Sequence, residues 1–213
     1  MKRIISITMA LVLMLCAFTS CGVKTPAKQK TFDVTEKEKV NVLILLQDGR
    51  EMELELYPKI APITVQNFVD LATSGFYDGL IFHRIVEGFV VQGGDPKGDG
   101  TGGSGTAIKG EFSENGVENT LSHTTGVISM ARQSSLTSSS PAGEKDTLMD
   151  SATSQFFIVL DNSAKTSLDG KYAGFGKMIR GFDVLEDLGN VTVDQNDKPL
   201  KDIVINSIRV VEE

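Results

Sequence analysis

Phe82-His83-Arg84-Ile85-Val86-Glu87-Gly88-Phe89-Val90-Val91-Gln92-Gly93-Gly94-Asp95 is the stretch on which the reading of this chain turns. Taken as two short β segments, Leu80 to Ile85 and Phe89 to Gln92, it sets an Arg and a Gln among aromatic and aliphatic residues. An exposed Arg beside core phenylalanines is the bland interpretation of the run. Further β-like segments lie outward from it at Val127 to Met130, Phe156 to Leu160, Ala173 to Met178 and Ile203 to Val211, with many glycines between them. Upstream, Val40 to Leu46 and Met52 to Leu56 flank Gln47-Asp48-Gly49-Arg50, whose Asp-Gly supplies the positive φ of a hairpin turn. One amphipathic helix is predicted from Ala61-Pro62, with Val65, Phe68, Val69 and Ala72 on one face and Gly75 as its stop. A second, Phe182 to Leu188, stops at Gly189. Many short strands with two helices favour a mainly β fold, a closed antiparallel barrel, since closure removes every exposed edge.

The 213 residues carry 21 Lys+Arg against 28 Asp+Glu, a formal charge of −7, which argues against a nucleic-acid partner. The acidity is uneven. Lys2 and Arg3 are the only charges of the first twenty residues, so the remainder holds 19 basic against 28 acidic groups, a formal charge of −9. The apolar run Ile4 to Phe18 is short for a membrane span of about 20 residues, and with Lys2-Arg3 it has the layout of a secretory signal. Phe18-Thr19-Ser20-Cys21 resembles the bacterial lipobox, although Phe18 departs from the usual Leu. On that resemblance residues 1–20 are removed, Cys21 is diacylated and anchors the protein to a membrane, and the product faces the extracytoplasmic side. A plain signal peptide or an anchor helix is the alternative. Residues 21–39 read as a solvated tether and 40–213 as the domain, with a polar insertion at about 133–153.

Common chemistries fail on spacing. His83 and His123 lie forty residues apart, with no His or Cys at zinc-ligand distance, so no metal site is expected. The loop from Asp95 has Lys97 at the third calcium position and Thr106 at the twelfth. Gly98 to Gly103 lacks the spacing and the long helix of a dinucleotide site, and Gly102-Gly103-Ser104-Gly105-Thr106 lacks the last Gly of a hydrolase elbow.

The run at 82–95 resembles the signature of cyclophilin-type peptidyl-prolyl cis-trans isomerases: Phe-His-Arg, then Gly-Phe, then Gln-Gly-Gly-Asp. Other blocks follow in the family's order: Ala61 to Phe68, Gly100 to Gly103, Gly126 to Ala131, Ser154 to Ile158, Leu168 to Lys171 and Phe175-Gly176. The resemblance spans about Val40 to Val211. It implies an eight-stranded antiparallel barrel capped by two helices, no cofactor, a monomer, and proline-containing unfolded or exported polypeptides as substrates.

By the same resemblance, Arg84, Phe89 and Gln92 are the catalytic residues. Arg84 would stabilise the twisted amide, and Gln92 would brace Arg84 and contact the substrate carbonyl. Phe89, Val90, Phe157 and Leu168 would hold the proline ring. Ala131, Arg132, Gln133 and Gln155 would hold the preceding residue, with Gly100 in the neighbouring loop. Four positions depart from the common pattern: Val90 for Met, Ser167 for Trp, Tyr172 for His and Arg132 for Asn. Val90 and Tyr172 keep an apolar wall, Ser167 predicts weak cyclosporin binding, and Arg132 predicts a preference for acidic or neutral residues before proline. A non-catalytic proline-peptide-binding module or holdase is the rival class, and a solute-binding lipoprotein a more distant one. Retention of Arg84 with Phe89 and Gln92 favours the enzyme, because binding alone would not require a donor at the proline nitrogen.

Overall fold

At the Asp48-Gly49 turn, Gly49 has φ +90° and β1 (Val40–Leu46) folds back antiparallel onto β2 (Glu51–Leu56), with Val40 opposite Leu56. The computed structural model describes residues 32–135 and 146–211. The expected signal, Cys21 and the first part of the tether lie outside the described residues, as does the middle of the insertion. Alternation along β2 puts Met52, Leu54 and Leu56 in the interior, while the outward Glu53 and Glu55 pair with Arg180 and Lys39. The residues read as the end of a tether are partly built into the domain. Val34 is fully buried, and Gln66 holds it by accepting the Val34 N–H and donating to the Phe32 carbonyl.

Helix α1 (Pro62–Thr73) begins on Pro62, whose fixed φ suits the first turn, and buries Val65, Phe68, Val69 and Ala72. Ala61 offers no side-chain cap. Glu111, from a distant loop, supplies one instead: its carboxylate accepts the N–H groups of Ile63 and Thr64 and the Thr64 hydroxyl at 2.7–3.1 Å. That satisfies two orphan donors and places negative charge at the positive end of the helix dipole. Phe68 then packs its ring 5.2–5.4 Å from Tyr77, Phe156 and Phe175, and this aromatic cluster is the centre of the core.

The remaining strands are β3 (Arg84–Val86), β4 (Val90–Gly93), β5 (Val127–Met130), β6 (Phe156–Val159), β7 (Gly174–Arg180) and β8 (Ile205–Val211). All pairings are antiparallel in one sheet of eight, in the order β3-β4-β6-β5-β7-β2-β1-β8. Closure is where sequence and structure part. The sheet curls into a half-barrel but stays open, because no ladder joins its outer strands β3 and β8. The reason is local. β3 is three residues long, and the Ile85 N–H on its outer edge is taken by the Asp197 carbonyl, a turn residue, at 2.8 Å. The chain ahead of β3 meets the chain at the start of β8 through one isolated bridge, Ile81 to Val204, and the backbone hydrogen bonds from Phe82 to Ile203, Gly79 to Ile205 and Ile205 to Leu80. The two expected helices are present, the second as α3 (Phe182–Gly189), and a further single turn of helix, α2 (Lys165–Leu168), was not legible.

Candidate functional site

Residues directly opposite one another in an antiparallel pair point to the same face. Across β3, β4, β6 and β5 the register therefore draws a row: Arg84 opposite Gln92, Gln92 opposite Phe157, Phe157 opposite Ser129. A parallel row runs beside it, Val86 opposite Val90 and Val90 opposite Val159, on the same outer face. The intervening row, Ile85, Val91, Ile158 and Ile128, points the other way into the core.

The outer face would be wet on a two-layer sandwich, yet here it carries a second apolar cluster. Val90, Val127, Phe157 and Val159 are buried with Ala164 and Leu168, and Phe89, Leu121, Ala131 and Tyr172 pack at its margin. The Phe157 ring lies between Tyr172, edge-on at 5.6 Å, and the His123 imidazole, stacked at 6.2 Å. Beside this cluster opens a groove of about 380 Å³ lined by Gln92, Gly100 to Gly103, Ala131, Arg132, Gln133, Thr153 and Gln155, among others. The structure thus brings the expected site residues together. Arg84, Gln92 and Phe157 share one row, Phe89, Val90, Leu168 and Tyr172 surround the apolar floor, and Gly100, Ala131, Arg132, Gln133 and Gln155 line the adjoining groove.

Their partners differ from expectation in two places. Gln92 does not brace Arg84: its amide donates to Gln155 Oε1 at 2.9 Å, and Gln155 Nε2 donates onward to the carbonyls of Gly100 and Gly102 at 3.0 and 2.7 Å. Gln155, just ahead of β6, thus bridges Gln92 on β4 and the glycine loop that follows β4. The loop is held in turn by Asp95, a nearly fully buried carboxylate that accepts the N–H groups of Lys97, Asp99 and Gly100. Burial acts to raise the pKa of Asp95, but the converging N–H donors outweigh it and hold the group below the usual carboxylate range. A Cβ at Gly102 would collide with that carboxylate, so only glycine fits.

Arg132 is the other difference. Its guanidinium lies between the rings of Phe112 and Tyr172, 5.1 and 5.0 Å from their centroids, and pairs with Asp146 at 2.6 Å, both side chains at most 5% exposed. Asp146 also takes hydrogen bonds from Ser134, Ser135 and Leu148. Its burial alone would raise the carboxyl pKa, yet these donors with Arg132 drive it far below the normal range. The positive charge that suggested a preference for acidic residues before proline is neutralised inside the protein, and that expectation loses its basis. Arg132 serves the groove by fixing its wall.

One partner of the site escaped the sequence reading, and one histidine read there as no metal ligand takes a hydrogen-bonded structural place. Arg84 Nη2 donates to Asp197 Oδ2 at 3.3 Å, from a turn 113 residues away. Under Phe157, His123 is fully buried between Asp169 and Ser129, with Nδ1 2.8 Å from the Asp169 carboxylate and Nε2 2.9 Å from the Ser129 hydroxyl. Nδ1 then carries the proton, the Ser129 hydroxyl donates to Nε2, and burial lowers the His123 pKa despite the carboxylate. The chain resembles a catalytic triad in order, but Ser129 is fully buried and serves as support. Asp169 lies in the quoted block Leu168 to Lys171, so part of the signal was present. Asp197 had none beyond a polar turn.

A family model described as cyclophilin type peptidyl-prolyl cis-trans isomerase/CLD matches residues 42–210. Peptidyl-prolyl cis-trans isomerase B of Bacillus subtilis is 44% identical over 146 residues, 68% of this chain and 88% of that one. Peptidyl-prolyl cis-trans isomerase-like 1 of Neurospora crassa is 41% identical over 161 residues, 75% of this chain and 88% of that one. Among solved structures, a cyclophilin type peptidyl-prolyl cis-trans isomerase of Cryptosporidium parvum superposes with TM-score 0.68 at 32% identity, covering 82% of this chain and 99% of its own. The same protein crystallised in the presence of the dipeptide Ala-Pro gives 0.66 at 33% identity, with 81% and 99% covered.

Proposed function

Since the chain belongs to the cyclophilin-type peptidyl-prolyl cis-trans isomerase family and is a peptidyl-prolyl cis-trans isomerase acting on proline-containing peptides, we propose that Arg84 carries the rate, on substrates exported across a membrane. The observation that supports Arg84 is the cross-strand row: a guanidinium about two-fifths exposed, at the end of a line that runs through Gln92 to Phe157 and the apolar floor.

Rotation about an X-Pro bond is slow because resonance gives the C–N bond partial double-bond character, with a barrier of about 20 kcal/mol. In the twisted transition state the nitrogen becomes pyramidal and regains its lone pair, and a fixed donor meets it more strongly than it meets the planar amide. Phe89, Val90, Phe157, Leu168 and Tyr172 take the proline ring in this reading, which sets the nitrogen within reach of Arg84. The second N–H of the Gln92 amide and the backbone at Ala131 to Gln133 align the preceding carbonyl, with Gln155 holding Gln92 and Gly100 in place behind them. Arginine suits the role, being charged at every working pH and presenting several donors in one plane.

Lipid attachment at Cys21, tethering the domain to the extracytoplasmic face, is supported by the Lys2-Arg3, Ile4 to Phe18 and Ser20-Cys21 layout. The tests are direct. In the full-length chain, NMR exchange on an X-Pro tetrapeptide should show acceleration that Arg84→Ala removes while the peptide still binds; a rate kept in full by Arg84→Ala would place the chemistry elsewhere. Membrane fractionation should find the protein in the membrane fraction and Cys21→Ala in the soluble one, and equal partition of the two would reject the anchor.

A further inference from the structure

Among the described residues, the Arg84 guanidinium makes one hydrogen bond, from Nη2 to Asp197 Oδ2, which leaves its other donors directed to no protein group. Asp197 is also the one non-glycine residue with positive φ among those described, at +63°. It occupies the tip of a small hairpin, Val193 bridged to Pro199, in which the Asp194 carboxylate accepts the N–H groups of Asn196 and Lys198 and the Asp197 N–H donates to the Asp194 carbonyl. Glycine would occupy that left-handed position with less strain. An aspartate stands there instead, with its carboxylate on Arg84 and its carbonyl on the N–H of Ile85, the next residue along β3.

The Arg84 guanidinium and the backbone N–H of the adjoining Ile85 are therefore both registered from a single turn residue. Stability does not explain the arrangement, because an ion pair with both side chains about two-fifths exposed adds little to it. Orientation does. Arg84 has four rotatable side-chain bonds, and Gln92, the neighbour in the row, is committed to Gln155.

We propose that Asp197 is a positioning residue for catalysis: its carboxylate holds one arm of the Arg84 guanidinium so that the remaining donors face the proline nitrogen. The proposal rests on the reading of Arg84 given above. Asp197→Gly suits the positive φ and keeps the turn while deleting the carboxylate. Asp197→Asn keeps an acceptor oxygen without the charge.

Both variants, each alone and combined with Arg84→Ala, are to be assayed in the full-length chain for kcat and KM by NMR exchange. The thermal midpoint and the ¹⁵N resonances of the Arg84 side chain are read alongside. Asp197→Gly should lower kcat on the order of tenfold with KM and midpoint unchanged, as a displacement of about 1 Å at a reacting centre can lower a rate about a hundredfold. The Arg84 Nη signals should average together as the side chain loses its hold, and Asp197→Asn should recover part of the rate. Neither substitution should matter once Arg84 is alanine. A normal kcat in Asp197→Gly overturns the proposal, as does an equal loss with and without Arg84. A slow Arg84→Ala beside a fast Asp197→Gly sinks only the role of Asp197, whereas a fast Arg84→Ala sinks the role of Arg84 and this proposal with it.

Discussion

Phe156 and Phe157 are neighbours in one strand, equally apolar and both at most 4% exposed, yet they belong to different parts of the molecule. Phe156 points inward and meets Phe68, Tyr77 and Phe82 edge-on, at 5.4 to 6.0 Å. Phe157 points outward, against His123 and Tyr172, beside the groove. Burial alone does not tell a core residue from a binding residue. The difference lies in what completes the layer: on the inner face helices and opposite strands close it, and on the outer face only α2 and loop residues do.

The contrast breaks most readily at the phenylalanines. Phe156→Ala should cost about 3–5 kcal/mol of unfolding free energy, seen as a fall on the order of 10 °C in thermal midpoint. Phe157→Ala should cost less stability, because its layer can relax toward solvent, and should raise the peptide KM; equal midpoints for the two variants would mean the faces are not distinct. Arg84→Ala sharpens the contrast from the other side. It should reduce kcat/KM on the order of a hundredfold or more, the usual effect of losing one transition-state donor, with the midpoint unchanged, whereas Ile85→Ala should lower the midpoint.

Gln155→Leu comes next. Losing its amide leaves the half-buried Gln92 donor and the carbonyls of Gly100 and Gly102 without their partner, and each such hydrogen bond is worth about 0.5–1.5 kcal/mol. The expected result is a drop on the order of tenfold in kcat/KM, measured on the same peptide, and retention of full activity would remove the relay from the mechanism.

Acid probes the support under Phe157. Burial lowers the His123 pKa, so the unfolded chain takes up a proton that the folded chain resists. The contribution of neutral His123 to stability is complete above about pH 6.5 and is lost as the pH falls below it. His123→Gln should remove at most about 1.4 kcal/mol per pH unit from the acid slope of unfolding between pH 6.5 and 5. His83, whose pKa burial also lowers, leaves a remaining slope of the same sign.

How much of this could be read in the sequence follows from the range of the interactions. The hairpin at Asp48-Gly49, α1 behind Pro62 and α3 up to Gly189 are decided by neighbours within a few residues, and they stand where the pattern put them. The apolar blocks Val127 to Met130 and Phe156 to Val159 were legible as strands. Their lack of alternation, buried on both faces, was the sign that a second layer covers them. What was not legible depends on distant partners. The open edge of the sheet follows from a hydrogen bond between Ile85 and Asp197, the cap of α1 from Glu111, and the neutral environment of Arg132 from Asp146. None of these pairs has a spacing that a sequence pattern could register.

The clamp of Arg132 on Asp146 bears on how the chain can vary in length. The pair ties residues 14 positions apart and fixes both ends of the intervening segment to Phe112, Tyr172 and the groove wall. Closing a segment whose ends are already held costs only about 0.6 kcal/mol more for each doubling of its length. A change of length between Arg132 and Asp146 is therefore expected to leave the register of Arg84, Gln92 and Phe157 unchanged. A peptide graft intended to recruit a new client would be inserted there.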